Sequence, residues 1–391
     1  MHPMEGMRVI ALEHAVAAPL CTRHLADLGA DVIKIERPGT GDFARAYDDY
    51  VNGICSHFVW LNRGKRSLTL DIKDPTARHA LDRLIGTADV LVQNLAPGAA
   101  ARLGLTHEAL APTNPNLVVC DISGYGESGP YLQKKAYDLL IQAESGLISV
   151  TGSPDEPSRV GISIADIATG MYAVTGILGA LLRRSRTGQG GNVKIAMLDA
   201  LGEWMTYPML RHAYAGSPPP RVPTSHPSIA PYGAHKTKDG QIILGLQNER
   251  EWAIFCTKVL NRPDLQSDPD FATMEARRQN RPALTALIED ALKDKTSDQA
   301  AALLDAVGIA NGRLNTPLDV WNHVQFAARD KWRTIQTESG PVRALQPPFT
   351  YPGEDPPMGD VPSIGQHTDE ILTELGLPPH QIATLRSAGA I

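Results

Sequence analysis

The sequence predicts an α/β protein: an open, mostly parallel sheet covered by helices, with a smaller α+β domain attached. Two observations carry the fold. Short apolar strands alternate with helical stretches through the first half, the mark of βαβ units, and two proline-rich passages then bracket a region of mixed character. A third observation points to chemistry: a long apolar helical segment begins beside one carboxylate, Asp166.

Residues 8–12, 31–36, 66–72, 88–94 and 117–123 read as strands, with helical patterns at 19–28, 75–85 and 97–103 between them. The first strand runs into Glu13-His14-Ala15-Val16 and not into Gly-x-Gly-x-x-Gly, which disfavours a nicotinamide or flavin site. The glycines of Gly124-Tyr125-Gly126 follow a strand but lead to Pro130 and Lys134-Lys135, so they mark a loop. Taken by themselves, Lys65-Arg66 and Lys134-Lys135 read as solvated surface charge.

The segment 162–182 holds almost nothing polar besides Asp166 and a few hydroxyls, so it is expected to be a helix buried nearly all round. It has nearly the length of a membrane span, but Asp166, its interior glycines and the lack of a companion segment favour a core helix. Ser163-x-x-Asp166 fits a capping box, with Asp166 reaching back to the Ser163 N–H. The same position suits a nucleophile, because a carboxylate there lies between a dry interior and the positive end of a helix. Arg183, Arg184 and Arg186 compensate the other end of the dipole.

The proline-rich passages at 216–233 and 347–362 enclose a strand at 241–246 and helices at 249–260, 281–292 and 297–306. The expected organisation is a large α/β domain at 1–220, a small α+β domain at 221–320, and a segment at 321–391 returning to the first sheet.

A length of 391 residues, 42% hydrophobic and 20% charged, describes a folded globular chain. A net charge of −6 argues against nucleic acid as the partner. The opening residues carry no export or import signal, and no membrane partner is indicated, so a cytoplasmic location is expected. Cys21, Cys55, Cys120 and Cys256 are scattered, and no two of the twelve histidines stand three or four apart, so no metal is expected.

Several strings in order resemble the class III coenzyme A transferases, which include formyl-CoA and carnitine-related transferases and methylacyl-CoA racemases. They are Gly29-Ala-Asp31-Val-Ile-Lys34-Ile-Glu36-Arg37-Pro-Gly39 with Gly41-Asp42, Asn62-Arg-Gly-Lys65-Arg66-Ser67, Asn94-Leu95-Ala-Pro97-Gly98, Arg102-Leu-Gly104, Tyr137-Asp138, Ala165-Asp166-Ile-Ala-Thr-Gly170 and Gly365-Gln-His367. The resemblance implies a Rossmann-like sheet, an interlocked homodimer, and acyl-CoA as co-substrate. It places Asp166 as the nucleophile and His14, Ala15, Ala17, Arg37, Leu70, Lys73, Asn94, Leu95, Arg102 and Lys135 along the coenzyme A channel. Asp166 would form an acyl anhydride and then an aspartyl–CoA thioester, with oxyanion donors sought among the N–H groups opening its helix.

The racemase branch uses a histidine where this chain has Tyr137, a poor base at neutral pH, so racemization is the weaker reading. Residues 11–23 and 135–142 look like the branch that moves coenzyme A from succinyl-CoA to itaconate, mesaconate or related dicarboxylic acids. There Tyr137, Arg45, His57, Gln247 and Asn248 are candidates for contacting the acceptor. A non-catalytic acyl-CoA-binding protein is the remaining alternative.

Overall fold

The computed structural model describes residues 2–349 and 351–391. In chain order the elements are β1 (Arg8–Leu12), α1 (Ala17–Asp27), β2 (Asp31–Glu36), α2 (Ser56–Asn62), β3 (Lys65–Thr69), α3 (Pro75–Ile85), β4 (Val90–Gln93), α4 (Ala99–Arg102), α5 (His107–Leu110), β5 (Val118–Ser123), α6 (Asp138–Glu144), α7 (Leu147–Val150), α8 (Ile164–Thr187), β6 (Gly191–Ala196), α9 (Met197–Trp204) and α10 (Thr206–Ala215). They continue with β7 (Tyr232–Lys236), β8 (Gln241–Gly245), α11 (Glu249–Lys258), α12 (Met274–Gln279), α13 (Arg281–Leu292), α14 (Ser297–Ala306), β9 (Ala310–Arg313), α15 (Pro317–Trp321), α16 (Val324–Ala328), β10 (Trp332–Thr337), β11 (Gly340–Leu345), α17 (Thr368–Glu374) and α18 (Pro379–Ser387). The chain divides into two compact units, one of Met1–Leu147, Val160–Tyr207 and Ala328–Ile391, the other of Ile148–Arg159 and Pro208–Ala327.

The first unit is built on a six-stranded sheet in the order β3-β2-β1-β4-β5-β6. Every neighbouring pair in it is parallel. Strands buried on both faces need apolar residues at every position, which is why Val9-Ile10-Ala11-Leu12 and Val90-Leu91-Val92 do not alternate. One face packs on α3, α17 and α18 through Ile10, Ile33, Leu81, Leu84, Ile371 and Leu385. The other face packs on α1 and α8 through Val9, Val92, Leu25, Val118 and Ile177. Helix α3 starts where Asp74 caps the N–H groups of Thr76 and Ala77 and Pro75 fills the first turn.

The chain leaves β1 in one direction to reach β2 and crosses to the other side to reach β4. The loops after β1 and β4 therefore diverge, and the crevice between them is where open α/β sheets bind ligands. Helix α8 runs back to feed the parallel strand β6, which puts its N-terminus, and Asp166, at the same C-terminal edge of the sheet.

Two sequence expectations are corrected. Lys65 is not surface charge: it is 3% exposed, on the buried strand β3. Helix α8 is not buried all round within this chain. Ala173, Val174, Ile177 and Ala180 face the sheet and α1, while Met171, Leu178 and Leu182 are exposed. A run that is apolar on every side carries no mark of which side meets its own chain.

The second unit holds the antiparallel sheet β7-β8-β9. Helices α11, α13 and α14 cover it through Trp252, Phe255, Leu284, Ile288 and Leu304.

Helices α8 and α1 touch at Gly170, where an added Cβ would lie 2.7 Å from the Ala17 carbonyl oxygen. Gly170→Ala is expected to push these helices apart and cost about 1–3 kcal/mol, despite alanine's better helix propensity. Urea unfolding monitored by circular dichroism measures it.

Candidate active site

Asp166 lies in the first turn of α8, half-buried. The capping box read from Ser163 does not form, because Ser163 makes no side-chain cap. The helix is capped from elsewhere: Asp138 Oδ1 accepts from the Ala165 N–H at 2.8 Å and the Asp166 N–H at 3.4 Å. The other Asp138 oxygen accepts from Gln142 Nε2 at 2.7 Å. Two residues before Asp138, Ala136 packs against Gly124 just after β5, where an added Cβ would collide with the Ala136 methyl. With the helix cap supplied by Asp138, the Asp166 carboxylate accepts no hydrogen bond among the described residues. Burial, and after it the like charge of Asp138, push its carboxyl up to about 7.

The expectation that N–H groups opening α8 serve as oxyanion donors is also corrected. Ile164 N–H bonds to Ile162 O, Ile167 N–H bonds to Ser163 O, and the two between them are taken by Asp138.

The loop between β1 and α1 stands beside this helix start. Val16 and Leu20 pack with Leu61 and Ile167, the residue after Asp166. Asn94 clamps His14 on both sides, accepting from its N–H and donating to its carbonyl, each at 2.9 Å. The His14 ring stacks on Phe43 at 5.4 Å, and burial lowers its pKa. Ala15 is half-buried, and Ala17 is buried at the start of α1. Leu70 is buried and Leu95 half-buried in the turns after β3 and β4.

Arg37, Lys73, Arg102 and Lys135 are all exposed and make no ion pair among the described residues. Arg37 and Lys73 follow β2 and β3 at the edge carrying His14, and Arg102 ends α4 just beyond β4. Lys134 differs from Lys135, since it is ion-paired to Glu144 and lies over the Tyr131 ring at 4.2 Å.

The acceptor candidates fall into different settings. Arg45 is held by Glu36 at 2.8 and 2.9 Å, donates to the Pro362 carbonyl, and stacks on Phe58 at 3.6 Å. That leaves it little freedom to anchor a substrate. His57 Nδ1 is 3.4 Å from Asp48, and its half-exposed ring meets Tyr47 edge-on at 5.9 Å. Burial pushes the Tyr47 hydroxyl up to about 12, helped by Asp42 and then by Asp166, so the field of Asp166 reaches this aromatic cluster. Tyr137 is exposed just ahead of α6. Asn248, in the second unit, caps α11 by accepting from Glu251 N–H at 3.0 Å, and Gln247 N–H donates to the Glu251 carboxylate at 2.7 Å.

Sequence reasoning gave no site role to Asp138, Tyr47, Asp42 or Lys34. The strings Gly41-Asp42 and Tyr137-Asp138 were the signal available for two of them.

Fold and site define a parallel α/β enzyme with a carboxyl poised near neutrality at the edge of its sheet. The model of CoA-transferase family III matches residues 4–368. Succinyl-CoA:glutarate CoA-transferase of Mus musculus is 34% identical over 383 residues, covering 96% of this chain and 87% of that protein. Succinate–glutarate CoA-transferase of Agrobacterium fabrum is 33% identical over 390 residues, covering 95% and 96%. A solved CAIB/BAIF family protein from Brucella suis has a TM-score of 0.86 at 35% identity, covering 96% of this chain and 99% of that one. The chain belongs to CoA-transferase family III. It is a CoA-transferase, with acyl-CoA as co-substrate.

With Asp166 as the proposed nucleophile, which must be ionised to attack, kcat/KM should fall about tenfold per pH unit below pH 7 and level off above it. Asp138→Asn keeps an acceptor for the helix but removes the like charge, so the inflection should move to lower pH. Steady-state kinetics across pH on both proteins test this.

Proposed function

We propose that this enzyme moves coenzyme A from succinyl-CoA to a small dicarboxylic acid, with C4–C5 acids such as itaconate or mesaconate as first candidates. Relatives named for succinyl and glutarate transfer support the donor and the size of the acceptor. The observation carrying the chemistry is the Asp166 carboxyl: accessible, free of hydrogen bonds among the described residues, and poised to ionise at about pH 7.

The Asp166 carboxylate attacks the donor thioester carbonyl, forming a mixed anhydride and releasing the coenzyme A thiolate. The thiolate attacks the aspartyl carbonyl, which expels the donor acid and leaves an aspartyl–CoA thioester. The acceptor carboxylate displaces the thiolate to give a second anhydride, and the thiolate takes the new acyl group. Aspartate suits this exchange because each adduct remains activated, whereas a serine ester would trap the acyl group. Oxyanion donors fall to α1, where the Ala17 and Ala18 N–H groups have no acceptor among the described residues.

Arg37, Lys73, Arg102 and Lys135 provide unpaired cations for the nucleotide phosphates. His14, Ala15, Ala17, Leu70, Asn94 and Leu95 form the channel wall. His57, beside Tyr47, is the better candidate to hold the free carboxylate of a dicarboxylic acid, since Arg45 is committed to Glu36. Tyr137 supports transfer over racemization. The bare face of α8 and the exposed Trp204, Tyr207 and Tyr214 nearby in sequence suit burial in a homodimer. We assign the enzyme to the cytoplasm, with no membrane or nucleic-acid partner.

Turnover with an 18O-labelled acceptor acid should leave label in the Asp166 side chain, because the donor acid departs with an aspartyl oxygen and the acceptor replaces it. Peptide mass spectrometry reads the label; its absence after many turnovers refutes the covalent route. A screen of succinyl-, acetyl- and formyl-CoA against mono- and dicarboxylic acids identifies the pair.

Asp166→Asn should lose transfer by roughly a thousandfold or more. It should also be more stable than the parent. The folded chain binds the Asp166 proton more tightly than the unfolded chain does, so ionisation costs stability as pH rises from about 4 through about 7. The melting-temperature gap should therefore be wider at about pH 8 than at about pH 5.

A further inference from the structure

Ala15 is a non-glycine residue at φ 62°, in the left-handed region that a side chain disfavours. It sits in the loop that joins the sheet edge to α1, one residue before Val16, which packs against Ile167 beside Asp166. Something must hold this conformation. The Ala15 N–H donates to Asp42 Oδ1 at 3.3 Å, and the Ala44 N–H donates to the same oxygen at 2.9 Å. The other Asp42 oxygen pairs with Lys34 at 2.8 Å, where both side chains are fully buried. Lys34 lies 3.3 Å from Glu13, the residue that opens the loop, and Glu13 pairs with Lys65 at 2.7 Å. Asp42 thus connects the strained residue to an anchored charge network below it and lies at the back of the loop, while Asn94 holds His14 from the side.

We propose that Asp42 is a positioning residue: it holds Ala15 left-handed so that the 13–17 loop presents its backbone to acyl-CoA beside Asp166, and it touches no substrate itself. This inference rests on the proposed role of that loop in binding coenzyme A. If losing the Asp42 contact leaves the competent loop conformation populated about a tenth of the time, coenzyme A affinity falls about tenfold.

The test compares wild type, Asp42→Asn, Asp42→Asn with Ala15→Gly, and Ala15→Val by calorimetric titration with coenzyme A, together with kcat, KM for succinyl-CoA and melting temperature. Asp42→Asn should raise both Kd and KM about tenfold, and adding Ala15→Gly should recover most of that loss without restoring the melting temperature, because glycine adopts the left-handed region without strain. Ala15→Val leaves all four network charges in place, so it should weaken binding similarly at a melting temperature near wild type, even if Asp42→Asn folds poorly. Binding within about twofold of wild type in both Asp42→Asn and Ala15→Val, or no recovery by glycine in a folded double variant, overturns the inference alone. Failure of the wild-type protein to bind coenzyme A overturns the reading of the loop as well.

Discussion

The constraint on which the site depends is the balance of four buried charges set among the first three strands and the loops between them. Glu13 follows β1, Lys34 lies within β2, Asp42 is on the loop after β2, and Lys65 opens β3; all four side chains are essentially inaccessible. Desolvation acts against every member. For Glu13 it would raise the pKa, but Lys65 and Lys34 outweigh it and bring the carboxyl down to about 2. For Lys65 burial wins, taking the ammonium down to about 8, while the acids around Lys34 hold that one above its ordinary value. Such a network gives little net stability over apolar packing, yet removing one member strands a buried charge at a cost of about 3–5 kcal/mol. Its effect here is geometric, because it ties strands β2 and β3 to the loops that follow β1 and β2. The Glu13 contribution is present above the usual carboxylate range and is lost only as pH falls through about 2.

Much of the first sheet was legible because parallel strands buried on both faces leave unbroken apolar runs, and β1 and β2 fall where the pattern puts them. Helix α3 was legible from its Asp74-Pro75 start, and α13 and α14 from their periodicity. Strand β6 was not, because Gly191–Ala196 lies at the sheet edge, is only partly buried, and mixes Asn192 and Lys194 with its apolar residues. Charge was misread for a related reason. Lys65 looks like any surface lysine in sequence, and only the neighbouring acids, tens of residues away, permit its burial.

The candidate nucleophile was legible from the contrast between one carboxylate and an apolar helix, but its surroundings were not. A local rule named Ser163 as the cap, and the chain instead uses Asp138, on another helix and twenty-eight residues before Asp166. Capping by a side chain from a distant element leaves no fixed spacing to recognise. The bare stripe of α8 is hidden in the same way, since residues meeting their own chain and residues left open are equally apolar.

The cap also decides the electrostatics of the site. A carboxylate in the first turn of a helix is ordinarily stabilised by the N–H groups there and by the dipole. Asp138 takes the Ala165 and Asp166 N–H groups and brings its own negative charge, so Asp166 loses part of that support and gains a repulsion. Burial then keeps water from compensating, and the carboxyl rises to about 7. A carboxylate so poorly solvated loses little when it gives up its charge to a carbonyl carbon. In the proposed mechanism Asp138 therefore favours attack, by stabilising the helix that carries Asp166 while leaving the Asp166 charge undersatisfied.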